Sequence, residues 1–465
     1  MNRNNIFIHL ALALVLVLVA AFAGQLSRWR KHLRSQVSII PTEKKQPTRT
    51  EEIALTETDH LGAPEVLVKF KGGVSQERID QLTAGFHDRV EDRIENADGW
   101  EAIDDLDNAD ASAIVDQYLR LPEVEYAEPN YEIKLERFDL TESIRPSDPQ
   151  FDDQWALANS GQKGGKEGAD IKATVAWAKT TGSDKVVVAV LDTGVDYSHE
   201  DLASNMWTRP DSVDPYQDDQ LGTIDDVNGF NAIDNGADPM DDNGHGTHCA
   251  GIIGAEGGND VGIAGVNWKV QIMPLKFMNS GGFGSTKDAI EAINYVIDRK
   301  KHGVNVRIIS ASWGSTQKSR ALGDVIRKAY ENDILFVAAA GNASTDNDRS
   351  PHYPSSYDNV LSVAALDRHD QLASFSNYGV KSVAIAAPGA EILSTWLDNQ
   401  YEEKSGTSMA TPVVAGVAAL VLAEHPRMSV EDLKKKLLAS TDPIVALKGK
   451  ITTGGRIDAA KALAD

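Results

Sequence analysis

The sequence predicts an α/β protein with a mainly parallel sheet and helices on both faces. Two strand-like runs and one helix-like run carry that expectation. Lys185-Val-Val-Val-Ala-Val-Leu191 is an unbroken, mostly β-branched segment, the pattern of a strand covered on both sides. Phe336-Val-Ala-Ala-Ala-Gly-Asn342 reads the same way, as a buried strand ending at a turn residue. After Pro412, the run Val413-Val-Ala-Gly-Val-Ala-Ala-Leu-Val-Leu422 is apolar all round, so its helix belongs inside the protein. Pro412 is tolerable in a first turn, where N–H groups have no helical acceptor.

That helix opens with Gly406-Thr-Ser-Met-Ala-Thr-Pro412, which puts Ser408 at the positive end of the helix dipole. Such a serine is an ordinary cap unless activating partners exist. Asp192-Thr193-Gly194 closes the strand run, so a carboxylate sits at a strand's carboxyl end, where open α/β sheets place their sites. An aspartic protease would need a second such carboxylate sharing the proton, and no second Asp-Thr-Gly or Asp-Ser-Gly follows. Asn243-Gly-His-Gly-Thr-His-Cys-Ala-Gly251 supplies His245 among small residues at an expected helix start. His245 and His248 also have the spacing of a metal pair, but a third ligand is not evident. His248 reads as a hydrogen-bonded core histidine.

Asp192-Thr-Gly, His245-Gly-Thr-His and Gly406-Thr-Ser408-Met-Ala-Thr-Pro, in that order, resemble the subtilisin-like serine proteases (subtilases). The similarity runs from about Asp148 to Leu463. It implies a three-layer α/β fold, with Ser408 as nucleophile, His245 as general base and then acid, and Asp192 holding the imidazole. Asn342 would donate to the oxyanion beside the Ser408 N–H. With all these parts present, a catalytically silent binding protein has no support. Ser312-Trp313-Gly314 and Ala339-Ala340-Gly341 resemble the two walls of the pocket for the residue before the scissile bond, and Ser280-Gly281-Gly282 the strand that pairs with extended substrate. Ala343 after Asn342 is not acidic, so broad cleavage after apolar or aromatic residues is expected. His352, before Tyr353-Pro354, matches the floor of that pocket and would narrow it.

The resemblance also implies structural calcium. In the loop Glu256-Gly-Gly-Asn-Asp-Val-Gly-Ile263, Asn259 and the carbonyls of Glu256, Val261 and Ile263 would be ligands, with Asp148 and Asp201 as remote carboxylates. The acidic run from Asp218 to Asp242 reads either as a second ion site or as a solvated loop.

Residues 63–138 resemble the family's small α+β, ferredoxin-like propeptide, an intramolecular inhibitor and folding chaperone, and 139–465 its peptidase domain. Strand Glu65–Phe70, helices Ser75–Phe86 and Ala109–Leu119 and an extended Val124–Tyr131 are expected there. The propeptide makes the protein a self-processing zymogen, with the first cut between Lys134 and Arg145 so that Asp148 stays on the mature side.

Residues 1–24 form a secretory signal, since Ile6 to Ala23 is almost wholly apolar and ends Ala-Phe-Ala. Arg28, Arg30, Lys31 and Arg34 oppose simple export, so a membrane anchor, and with it a processing protease of narrower specificity, is the alternative. Residues 25–62 read as a polar linker. A net charge of −23 argues against nucleic acid as partner and leaves protein or peptide substrates. The lone Cys249 excludes an intrachain disulfide, and a monomer is expected.

Overall fold

The computed structural model describes residues 65–94, 99–107, 109–130, 143–219 and 222–464. The apolar N-terminal segment, the linker and most of the window for the first cut lie outside them. Two compact units divide at residues 136/137.

The first unit runs β1 (Glu65–Phe70), α1 (Gln76–Phe86), β2 (Asp88–Arg93), β3 (Trp100–Asp105), α2 (Ala111–Leu119) and β4 (Val124–Pro129). Its antiparallel sheet has the order β2-β3-β1-β4, a ferredoxin-like βαββαβ unit. Ser75 caps α1 through the Arg78 N–H and Asp110 caps α2 through the Ser112 N–H. Val66, Val68, Ile79, Ile103, Ile114 and Tyr118 form its core.

The second unit begins, after the short α3 (Ala173–Ala176), with β5 (Gly182–Asp192). The hairpin β6 (Tyr216–Asp218) and β7 (Gly222–Ile224) and the short β8 (Phe230–Asn231) follow. Next come α4 (His245–Gly254), β9 (Lys269–Lys276), α5 (Thr286–Lys301), β10 (Val306–Ala311), α6 (Arg320–Glu331), β11 (Leu335–Ala339), β12 (Val360–Leu366) and β13 (Ile385–Pro388). The hairpin β14 (Ile392–Trp396) and β15 (Gln400–Lys404) leads into α7 (Thr407–Glu424), then α8 (Val430–Ala439), β16 (Thr441–Pro443), β17 (Gly455–Ile457) and α9 (Ala459–Leu463). Nine strands form one sheet, ordered β16-β17-β13-β12-β11-β10-β5-β9-β8. All neighbours are parallel except β16 with β17.

Alternation along β5 shows how the layers are built. Val186, Val188 and Val190 face a core shared with α4 and α7, while Val187, Ala189 and Leu191 face one shared with α5 and α6. Both faces are covered, so the expected three layers are present. The chain goes from β5 to β8 and β9 on one side, then crosses back to β10 on the other. That reversal makes the carboxyl end of β5 the switch point where such sheets form a crevice.

Helix α7 is long and apolar enough to cross a membrane, yet 83% of it is buried inside this unit. It lies against the sheet and α4. At Gly251 of α4 an added methyl would collide with Thr395 Oγ1 and stand 2.5 Å from Ser394 Oγ. Those hydroxyls donate to the carbonyls of Thr247 and His248 at 2.8 and 2.7 Å. Gly251→Ala must push the β14–β15 hairpin off the helix, and overpacking of this kind costs roughly 1–3 kcal/mol. We expect that loss in the denaturant midpoint, measured in a Ser408→Ala background so that autolysis does not intervene.

Candidate active site

Three chain segments converge at the switch point. Asp192, the last residue of β5, is 1% exposed, and its Oδ1 accepts the Thr193 N–H at 2.8 Å. His245 opens α4 with Nδ1 2.7 Å from the same oxygen. The bond requires the proton on Nδ1 and leaves Nε2 as the free acceptor of the neutral ring. Burial opposes a charge on His245, but the charge of Asp192 and its hydrogen bond, helped by Asp241, outweigh it and hold the imidazole pKa above its ordinary value.

The placement of His245 depends on the loop before it. Gly244 sits at φ 103° with the Trp396 ring 2.5 Å from where a Cβ would be, a conformation that only glycine adopts readily. Asp241 accepts the Thr247 N–H and hydroxyl at 3.0 and 2.7 Å. Buried Lys276 donates to the Thr193 carbonyl at 2.7 Å and to Asp242 at 2.6 Å, tying the aspartate loop to the histidine loop. These supports were not read from the sequence. Their only signal was the spacing of Asp241 and Asp242 from His245.

Ser408 lies in the first turn of α7. Its hydroxyl donates to the Ser312 carbonyl at 3.0 Å, and Ser312 Oγ donates back to the Ser408 carbonyl at 2.7 Å. The hydroxyl rests on Ser312 rather than on His245, a loose arrangement usual before substrate binds. Asn342, just past β11, takes the Thr407 N–H and hydroxyl on Oδ1 at 2.8 and 2.9 Å. With its oxygen engaged, the amide must present Nδ2 away from Thr407. Thr407 is thus a second residue that the motif contained but sequence reasoning did not single out.

The expected substrate segments fare unequally. Ser312 is buried beside Ser408, and the Trp313 ring packs at a tilt against Phe277, centroids 4.8 Å apart, with Nε1 donating to the Leu191 carbonyl. Gly314 and Gly341 both approach His352. Ala339 and Ala340 are buried, and the Ala340 carbonyl already accepts from Asn347 and Asn377. Ser280-Gly281-Gly282, expected as a strand, is instead an exposed turn. Asn279 Oδ1 draws in the Gly281 and Phe283 N–H groups, and Gly282 sits at φ 76°. The Ser280 carbonyl still holds Asn243 Nδ2 at 2.8 Å, two residues from His245.

Two side chains near the site drop out as reactive groups. Burial drives the His248 pKa down to about 3, and its Nε2 donates to the carbonyls of Ile392 and Glu402. Cys249 stands close enough to Asp192 and His245 to complete a metal-like trio. Burial raises its thiol pKa well above the usual value, and Sγ points at the Ser408 carbonyl 3.5 Å away. A protonated thiol is no metal ligand.

Comparison with known proteins bears on this constellation. Residues 183–458 match the model of the subtilase family, and residues 56–130 that of the fervidolysin N-terminal prodomain. The chain is a subtilase. It is 36% identical to thermitase of Thermoactinomyces vulgaris over 318 residues, covering 68% of this chain and 99% of thermitase. It is 34% identical to the thermophilic serine proteinase of Bacillus sp. (strain AK1), with 79% of each chain covered. A solved structure of the proteases from Pseudoalteromonas arctica PAMC 21717 superimposes with a TM-score of 0.56 at 28% identity, over 68% of this chain and 98% of that one. This subtilase is therefore a serine-type endopeptidase with an N-terminal prodomain.

The loop after α4 brings the expected cation ligands together. Asp201 is fully buried, with Oδ1 accepting from Asn259 Nδ2 and Oδ2 from the Ile263 N–H and Tyr401 hydroxyl. Asp148 accepts the Gly258 N–H on Oδ2, while its buried Oδ1 has no partner. Burial raises both carboxyls, Asp201 to about 6, and the two repel each other. Among the described residues no donor reaches the carbonyls of Glu256, Val261 or Ile263. Two desolvated carboxylates without a counter-charge suit a cation. Asn259 differs from expectation in one respect. Its oxygen accepts the Val261 N–H at 2.8 Å, so the amide must turn to become a ligand.

Within the acidic run, six of the aspartates already have protein partners. Asp225 and Asp226 pair with Arg209, Asp226 also with Arg299 and Tyr295, and Asp242 with Lys276. Asp234 takes Asn231, Asp238 takes Tyr197, and Asp241 takes Thr247.

The Asp192–His245 pair makes a direct prediction. The His245 imidazole should titrate above 6.5, keeping its proton to higher pH than a free histidine. Asp192→Asn removes the opposing charge and should move that titration downward. Ring-proton NMR across the pH range, in the inactive Ser408→Ala chain, reads both values.

Proposed function

We propose that this subtilase hydrolyses peptide bonds through Asp192, His245 and Ser408. The reading rests above all on the 2.7 Å bond between the buried Asp192 and His245, with Ser408 on the neighbouring helix N-terminus. Ser408 Oγ leaves the Ser312 carbonyl and attacks the substrate carbonyl as His245 Nε2 takes its proton. The oxyanion receives the Ser408 N–H and Asn342 Nδ2. His245 then returns the proton to the leaving amine, and a water activated in the same way cleaves the acyl-enzyme. Asp192 stays ionised throughout, fixing the tautomer and stabilising the imidazolium. Substrate lies extended against the Ser280–Gly282 and Ser312–Gly314 segments. No acidic side chain follows Asn342, so uncharged residues are favoured before the scissile bond and specificity is broad.

A fluorophosphonate should label Ser408 and no other residue. Ser408→Ala and His245→Ala should each remove nearly all activity, and together cost little more than either alone. Asn342→Leu should lower kcat by roughly 10²–10³ with KM little changed. Thr407→Val, which removes one of the two bonds that hold the Asn342 amide, should act on kcat in the same direction with a smaller effect. Hydrolysis at wild-type rate without Ser408 would end this reading.

The structure supports one calcium ion held by Asp148, Asp201, Asn259 and the carbonyls of Glu256, Val261 and Ile263. Bound there, the ion supplies positive charge to two buried carboxylates and takes no part in hydrolysis. A chelator should lower the melting temperature and hasten autolysis. An ion at ~100 times its Kd contributes roughly 2.7 kcal/mol. Because the ion needs ionised carboxylates, the difference between calcium and chelator should shrink as the pH falls through the acid range. An unchanged melting curve after prolonged chelation would count against the site.

Residues 63–138 act as an inhibitory propeptide and residues 139–465 as the mature enzyme, an exported monomer with proteins or peptides as substrates. One relative is named as an extracellular serine protease, from Natrialba magadii. Cleavage within Lys134–Arg145 is intramolecular and independent of dilution. The purified Ser408→Ala chain should therefore stay whole, and a cut in that window without Ser408 would show that another protease is the activator.

A further inference from the structure

The gap between Gly314 and Gly341 holds an imidazole. A Cβ built on Gly314 would run into Cε1 of His352 and lie 2.5 Å from its Nε2, and one on Gly341 would lie 3.1 Å from its Cδ2. Cε1 and Cδ2 flank Nε2 in the ring, so this nitrogen lies on the ring edge between the two glycines. The other ring nitrogen is engaged. Nδ1 lies 3.2 Å from Ser355 Oγ, and the single hydroxyl proton of Ser355 goes to the His352 carbonyl at 2.8 Å. Nδ1 must then be the donor to Ser355, which leaves Nε2 as an acceptor. Burial lowers the imidazole pKa, so the ring is neutral at pH 7. Among the described residues no donor meets Nε2, and His352 is only partly buried.

We propose that His352 is the specificity-determining floor of the pocket for the residue before the scissile bond, and that its Nε2 selects a side chain of moderate length ending in an uncharged hydrogen-bond donor, glutamine above all. The proposal rests on Gly314 and Gly341 being the walls of that pocket. A ring on the floor shortens the pocket, so phenylalanine or tyrosine cannot seat fully. Methionine fills nearly the same volume as glutamine but strips water from Nε2 and returns no hydrogen bond. Glutamate sets an acceptor against an acceptor. Lysine and arginine offer donors, but they bring a charge into a site with no counter-charge. Within the uncharged class expected from the sequence, this displaces the aromatic preference. Absence of an acidic wall was legible there, whereas the tautomer of His352 was not.

The test uses the self-processed full chain and matched fluorogenic peptides that differ only at the residue before the cut: glutamine, methionine, glutamate or phenylalanine. Wild type should show kcat/KM for glutamine on the order of 10-fold above methionine, since a site built for a donor rejects the analogue lacking it. His352→Gly should erase that ratio and raise phenylalanine, because it removes both the acceptor and the floor. The wild-type profile decides even if the variant folds poorly. Methionine or phenylalanine cleaved as well as glutamine by wild type would overturn the proposal, as would a His352→Gly enzyme that kept the glutamine preference. Fluorophosphonate labelling of the same preparations separates two failures. A labelled Ser408 with a flat profile sinks only the role of His352, while an unlabelled Ser408 sinks the catalytic reading and this proposal with it.

Discussion

The burial of α7 is the constraint on which the rest of the second unit depends. From Met409 to Leu422 every residue of that helix is buried, and a Cβ at Gly416 would come 2.7 Å from Val266. The helix therefore has neither a free face nor room to slide. Its first turn is fixed by polar contacts of equal stringency, through Ser312 on the Ser408 carbonyl and Asn342 on the Thr407 N–H. Apolar packing sets where Ser408 stands, and hydrogen bonds set where it points. Since α7 reaches β5, β10 and β11 from one side, the aspartate, the pocket wall and Asn342 are all measured from the same rigid rod.

Polar groups elsewhere follow a related logic, in which charges near the site are paired or hydrogen-bonded. Asp226 is wholly buried yet receives Arg209, Arg299, Tyr295 and the Tyr216 N–H. Arg456 is buried between Asp370 and Asp442. Asp148 and Asp201 stand apart: they are hydrogen-bonded, but they are desolvated, repel each other and have no basic partner among the described residues. That missing counter-charge, rather than the abundance of acidic residues, sets the loop after α4 apart. A count of aspartates also pointed to the run from Asp218 to Asp242, where Asp225, Asp226, Asp234, Asp238, Asp241 and Asp242 serve arginines, a lysine, hydroxyls and an amide.

What the sequence revealed depended on burial. Strands β5 and β11 and helix α7 announced themselves because both faces are covered and their central residues are apolar. Strands β2 and β3 of the first unit did not. Asp88-Arg-Val-Glu-Asp-Arg93 lies at the sheet edge, mostly exposed, and carries almost no apolar signal. At the site, Asp192, His245 and Ser408 stood out because their motifs are short and local. The parts that sequence reasoning missed are relations between distant segments. Thr407 with Asn342 and Lys276 with Thr193 are contacts across 65 and 83 residues, and no spacing rule reports them. The turn at Ser280–Gly282 was mistaken for a strand because glycines that permit close approach of a substrate also permit φ 76°.

Cys249 gives the protein an internal clock. It is the sole thiol in the chain, 1% exposed, lodged behind Ser408 and beneath the Asp192–His245 pair. A thiol reagent can reach it only when α4 and α7 part, so its rate of modification measures the frequency of that opening. The same geometry keeps two copies of the folded protein from joining through a disulfide in an oxidising medium.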